Sequence, residues 1–151
     1  MPLSLSGDGT LSGVDIAASG LGRVLQVVRA TDSTRRSTTS SSFVDVAGMS
    51  VTITPQVATS AILLIGSWLV EKATTRTEVR LTDSSDNVVS GADRGYASTT
   101  EATTLTLFGY STPATTSAVT YKTRFRAIGG GTAELYNDVT TGQMYAIEVA
   151  A

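Results

Sequence analysis

Asp83, Asp86 and Asn87 lie together in the run DSSDN and present oxygen-bearing side chains of the kind that hold Ca²⁺. The spacing of a helix–loop–helix calcium loop and its closing Glu are missing, so these residues read first as a solvated turn. Asp93, in GADRGY, adds a carboxylate in a nearby loop with nothing to bring it to the same point. Glu134 and Asp138 are a second pair with chemical capacity, since two carboxylates can share the acid and base work of glycoside hydrolysis. They lie four residues apart, with Tyr136 as the sole aromatic platform close by. The run IGGGTAE has the glycines of a phosphate cradle without the Lys and Ser/Thr that complete one. Serines are abundant, but the chain has no His to activate one and no Cys to serve as a thiol nucleophile or metal ligand. The expectation is a protein that is not an enzyme and that takes no cofactor and no metal.

Lys122, Arg124 and Arg126 alternate along one stretch, AVTYKTRFRA, and form a small cationic stripe. It reads as a solvated face, or else as a stripe that meets carboxylates such as Glu78 or Glu134 on a neighbouring subunit. It is too small to hold nucleic acid, where affinity comes from neutralising many phosphates, and the chain as a whole carries a formal charge of -2.

The elements that carry these residues read as strands. Thr and Ser make up more than a quarter of the 151 residues, while charged residues are only 16%, against about 25% in ordinary domains. Thr favours strands and Ser favours turns. In SVTITP, Val51 and Ile53 face one way and Thr52 and Thr54 the other, the period of a half-buried strand. RTEVRLTD sets Thr77, Val79 and Leu81 inward against Arg76, Glu78 and Arg80. AVTYKTRFRA sets Val119, Tyr121, Thr123, Phe125 and Ala127 on one side, and QMYAIEVA aligns Tyr145, Ile147 and Val149. RVLQVVRA, FVDV, MSVTITP, VVS, TLTLFGY and TAELYND read as further strands. TDSTRRSTTSSS (31–42) and GADRGYASTTEA (91–102) read as loops, and GGG (129–131) as a turn. Eight to ten short strands with turns between them indicate an antiparallel β-sandwich, with a jelly roll as the form that suits this strand number.

One stretch breaks the pattern. In SAILLIGSWLVEK, Ile62, Leu64, Gly66, Trp68 and Val70 lie on one face of a strand, and Leu63, Ile65, Ser67 and Leu69 on the other. Both faces are apolar, although an antiparallel strand ordinarily keeps one face wet. A second copy of the chain is the simplest cover, so Leu63, Ile65, Leu69, Tyr121 and Phe125 are candidate core or subunit-interface residues. A short buried helix is the alternative, and Gly66 and Ser67 tell against it. The run AILLIGSWLV is about half the length of the ~20 residues that cross a bilayer, so no membrane insertion is expected.

Residues 1–22 differ from the rest, being poor in charge, rich in Gly and Ser, and punctuated by Leu3, Leu5, Leu11, Val14 and Ile16. They read as a frayed terminus or as an attachment arm that orders on a partner. They lack the cationic and apolar regions of a secretory signal. Residues 23–151 read as the sandwich domain.

The runs GRVLQVVRATDST, SFVDVAGMSVTITP, TSAILLIGSWLV, STPATTSAVTYKTRFRAIGGGTAELYN and AIEVA together resemble the jelly-roll head module of marine, cyanophage-type bacteriophage fibre and virion structural proteins. The resemblance spans about residues 20 to 151, with PATTSAVTYK and AIEVA its more specific parts. It implies a jelly-roll-like sandwich, trimeric, displayed on a phage particle, and it carries over no catalytic residue. A fibre head is similar to a tip behind a long shaft, whereas an arm of some twenty residues reaches at most about 70 Å. The resulting expectation is a trimeric capsid decoration or head-fibre protein, located in the virion, whose partners are itself and other virion proteins. A tail-fibre tip or adaptor that recognises a host-surface receptor is the alternative.

Overall fold

The computed structural model describes residues 4–5, 11–12, 22–72, 76–97 and 101–150. Among these residues every regular element is a β-strand. In chain order they are β1 (Ser4–Leu5), β2 (Leu11–Ser12), β3 (Val24–Asp32), β4 (Arg36–Thr38), β5 (Val44–Ile53), β6 (Ala61–Lys72), β7 (Arg76–Asp83), β8 (Gly95–Ala97), β9 (Thr103–Ser111), β10 (Val119–Ile128), β11 (Ala133–Leu135) and β12 (Gly142–Val149).

Two antiparallel sheets pack face to face. One runs β5-β10-β7-β8. The other runs β3-β12-β6-β11-β4, with β9 on the free side of β6. Leaving aside β1, β2 and the short β4 and β11, the chain order is β3, β5, β6, β7, β8, β9, β10, β12. The first of these pairs with the last, the second with the seventh, the third with the sixth and the fourth with the fifth. That is one long antiparallel hairpin, nested four deep and rolled into two sheets. The fold is therefore a jelly roll, as the strand number suggested.

Side-chain alternation explains why each strand lies where it does. The inner rows are Val46, Met49, Val51, Ile53, Val79, Leu81, Tyr121, Phe125 and Ala127 from the four-stranded sheet. They meet Ile62, Leu64, Trp68, Val70, Leu107, Leu135, Met144 and Ala146 from the other. Each large apolar side chain taken fully from water contributes about 1.5–3 kcal/mol. Tyr121 and Phe125 lie in this core, 2% and 3% exposed.

Several segments differ from the sequence expectation for identifiable reasons. FVDV and MSVTITP are one strand, β5, which bulges where Lys122 pairs with Ser50 and Arg124 already pairs with Asp45. Gly48 takes φ 81 in that bulge, a conformation that Gly reaches without a Cβ penalty. The hydroxyl-rich stretch 31–42 is not wholly a loop. β3 continues through Asp32, and β4 forms at Arg36–Thr38 by pairing with β11, while the Arg36 guanidinium donates to both carboxylate oxygens of Asp32, each at 2.9 Å. Asn137 Nδ2 donates to the same carboxylate at 2.9 Å, tying the turn after β11 to these strands. The stretch 91–102 contains β8, which pairs with β7. VVS contributes only isolated bridges, Thr82 to Val88 and Ser90 to Tyr110. TAELYND contributes three strand residues.

β6 is a strand, as its Gly66 and Ser67 argued against a helix. Gly66 is there for a further reason: the Trp68 indole lies over it, and a Cβ at 66 would overlap the ring. Trp68 is 1% exposed and is the chain's single Trp. Gly66→Ala is expected to push this ring off its packing, a cost of about 1–3 kcal/mol. At about 2–4 °C per kcal/mol for a chain of this size, thermal melting should fall by roughly 3–10 °C. The loss should be accompanied by a red shift of the Trp68 emission, measured by fluorescence.

Candidate interaction surface

The two faces of the six-stranded sheet contrast in an unusual way. On β12 the inner row is Gly142, Met144, Ala146 and Glu148, while the outer row is Gln143, Tyr145, Ile147 and Val149. Tyr145, Ile147 and Val149 thus point away from the core. The same holds for β9, whose outer row carries Phe108 at 58% and Tyr110 at 55% exposure. Strand register brings these residues side by side. Val27, Ile147, Leu63 and Tyr110 form one row across four strands, and Arg29, Tyr145, Ile65 and Phe108 form the next. With neighbouring strands about 4.8 Å apart, the rows span roughly 14 Å.

The third row, Thr31, Gln143, Ser67 and Thr106, is polar. Gln143 Oε1 accepts from the Tyr145 hydroxyl at 2.6 Å and from Arg29 at 3.1 Å, which ties the second row to the third. No Asp or Glu occurs in the three rows, and Arg29 is their one cation. An aromatic and aliphatic centre, depleted of charge and bordered by a polar row, is the composition of a protein–protein contact.

Of the residues singled out by sequence, Leu63, Ile65 and Leu69 lie on this outer face, each half-buried. Tyr121 and Phe125 do not join them; they fill the core from the opposite sheet and offer nothing to a neighbouring subunit. Phe108, Tyr110 and Val27 belong to the surface and were missed. TLTLFGY alternates as any half-buried strand does, and only register against β6 reveals that its aromatic row faces outward. In the N-terminal segment, Leu5 and Leu11 are cross-strand partners in the β1–β2 pair. Leu3, Val14 and Ile16 lie outside the described residues.

The chemically capable groups are occupied locally. Asp83 accepts the backbone N–H groups of Ser85 and Asn87 at 2.8 and 2.9 Å and the Asn87 side chain at 3.0 Å. Asp86 pairs with Lys122 and Arg124. Glu134 accepts from the Tyr136 hydroxyl, and Asp138 pairs with Arg35, so the two carboxylates turn to different partners. Among the described residues no group of acidic, His or Cys side chains is arranged as a metal site. The cationic stripe finds its carboxylates within the same chain. Arg126 pairs with Glu78 at 2.7 Å, and Lys122 and Arg124 bridge Asp45 and Asp86, which corrects the expectation that a neighbour's Glu78 or Glu134 meets them. No family model and no curated protein sequence matches the chain.

Two fully or nearly buried carboxylates hold loops to the strands. Glu148 is 0% exposed and accepts from Gln26 Nε2 at 2.6 Å and from the backbone N–H groups of Gln56 and Val57. Burial alone pushes its pKa up, but these hydrogen bonds outweigh it and the pKa is lowered. At Asp32 burial likewise opposes ionisation, and the bonds from Arg36 and Asn137 again win. A carboxylate with a lowered folded pKa contributes stability that is fully present above its unfolded value, near 4, and is lost as pH falls through the folded value. With no His in the chain, melting temperature is expected to be flat from pH 5 to 8 and to fall below about pH 4. Glu148→Gln should melt lower than the parent at pH 7 and show a shallower acid decline, measured by calorimetry across pH 2–8. A flat acid limb in the parent protein would overturn this assignment.

Proposed function

We propose that the chain is a structural subunit of a bacteriophage particle, a jelly roll that assembles with two further copies into a trimer and is held on the virion by residues 1–22. The observation that carries this reading is the pair of charge-depleted apolar rows on the outer face of the six-stranded sheet. A sheet face ordinarily left to solvent here carries Leu63, Ile65, Phe108, Tyr110, Tyr145 and Ile147. A second copy is the occupant this surface suits, because its polar third row supplies the rim that a self-contact needs, and because a capsid-type assembly presents the same face many times over. The phage setting is supported by the resemblance of residues 20–151 to virion head modules. Within it, a decoration on the capsid is the first reading and a receptor-binding tail tip the second.

Light scattering at micromolar concentration is expected to give a trimer. Phe108→Asp changes a side chain that the single chain leaves exposed, so the variant should fold with stability close to the parent but run as a monomer. Phe125→Asp buries an unpaired carboxylate in the core, costing several kcal/mol, and should not fold. A parent protein that stays monomeric, or a Phe108→Asp variant that stays trimeric, would remove the surface from this role. Counting copies per particle separates the two locations: hundreds belong to the capsid, and a few to a few dozen belong to the tail.

A further inference from the structure

The outer face of the four-stranded sheet gathers Arg76, Arg80, Lys122, Arg124 and Arg126, five of the eleven Lys and Arg of a chain whose net charge is -2. Four of the five have carboxylate partners. Arg76 and Arg126 pair with Glu78, and Lys122 and Arg124 with Asp45 and Asp86. Arg80 has none within ion-pair distance among the described residues. Its Nε is buried without a hydrogen-bond partner, and its guanidinium lies 3.9 Å from the centre of the Phe43 ring. Arg126 approaches the same ring at 4.5 Å, so two guanidiniums flank one aromatic side chain.

Register makes the arrangement costly. Arg80 lies directly opposite Arg124 in the β7–β10 pair, and Arg126 is two residues further along β10. Like charges directly opposite across strands destabilise a sheet. Burial, then Arg124 and Arg126, lower the pKa of Arg80, while Asp93 and Asp86 act more weakly in the other direction. Counting Asp45, Glu78, Asp86 and Asp93 against the five cations, the face retains one positive charge in excess, and Arg80 is the cation without a carboxylate at ion-pair distance. A guanidinium presents N–H donors in a planar fork suited to the two oxygens of a carboxylate or sulfate. Its stacking on Phe43 fixes the plane of that fork in advance, which lowers the entropy of engaging a ligand.

We propose that Arg80, stacked on Phe43 and set opposite Arg124, forms a binding site for a single oxyanion group, a carboxylate or a sulfate. The group is either free in solution or carried on an acidic polysaccharide. It accepts from the Arg80 guanidinium and relieves the repulsion between the facing arginines.

The full chain would be titrated with inorganic sulfate, and separately with tetragalacturonate, at constant ionic strength held with chloride. Thermal melting and the ¹⁵N resonance of Arg80 Nε would both be followed. The expected result is a saturable rise of about 3–5 °C at ten times the dissociation constant, with a matching shift of the Nε resonance. In Arg80→Gln the rise should vanish. In the absence of added anion that variant should melt at or above the parent, whereas an arginine with a purely structural role would leave it melting lower. A tenfold or tighter preference for tetragalacturonate assigns the site to a polymer-borne acid, and equal response assigns it to a free anion. An unsaturable rise shared by parent and variant, or an Arg80 Nε resonance that does not move, overturns the proposal.

Discussion

The Trp68 indole lying over Gly66 is the contact on which the sandwich depends. β6 is the strand at which the larger sheet is joined, hydrogen-bonded to β12 and β11 along one edge and to β9 along the other. Its inner row must span from Ile62 to Val70 without gaps. The indole is the largest fully buried side chain of the chain, and it fits between the sheets because residue 66 surrenders its Cβ to it. Its N–H has no partner among the described residues, a burden of about 1–3 kcal/mol that the ring's apolar surface has to exceed. Volume at this point therefore matters more than polarity. With Trp68 in place, Leu107 of β9 and Met144 of β12 find inner-row neighbours on either side, and the nested pairing of the outer strands follows from that register.

Around this centre loops are secured by buried charge as well as by apolar side chains such as Val89 and Ala92. Glu148, on the inner row of β12, draws the 56–57 backbone and Gln26 to itself. Asp32, at the end of β3, gathers Arg36 and Asn137. Glu78 is 0% exposed although it points to the outer face, since Arg76 and Arg126 close over it. Each carboxylate would be expensive to bury alone, and each has charged or backbone donors to hold it. Several of these contacts join residues far apart in sequence. They keep crossing loops in fixed positions in a fold whose strand partners are mostly distant along the chain.

This division explains what the sequence made legible. Period-2 alternation in β5, β7 and β10 shows which side chains enter the core, because one row is apolar and the other is not: Val51 and Ile53, Val79 and Leu81, Tyr121 and Phe125 all point inward as their spacing implies. The two dry faces of β6 are equally plain in SAILLIGSWLVEK. Alternation could not show β4 or β8. Those strands of three residues exist because distant strands hold them: β11 holds Arg36–Thr38, and β7 holds Gly95–Ala97. Nor could it show which row of β9 or β12 faces out. Phe108 and Tyr145 look like core residues in isolation, and only their register with Ile65 places them together on the outside. The pairing of Arg126 with Glu78 was hidden for the same reason, since a cross-strand neighbour 48 residues away leaves no local mark.

The outer faces of the two sheets are then opposites, and each is explained by what it lacks. The face of β6 lacks carboxylates in its three central rows, and its polar groups are confined to Arg29 and the third row, so its two apolar rows have little to desolvate. The face of β10 lacks a large apolar row; its cations are clamped to carboxylates of the same sheet, with Arg80 alone left on the ring of Phe43. A surface locked into its own ion pairs has little to gain from burial against another protein, because desolvating those pairs costs more than their attraction returns. The apolar face has the reverse balance: it gains from burial and has few polar groups to desolvate. One jelly roll thus presents a side whose composition suits burial and a side whose ion pairs suit water, and the oxyanion site proposed at Arg80 lies on the second.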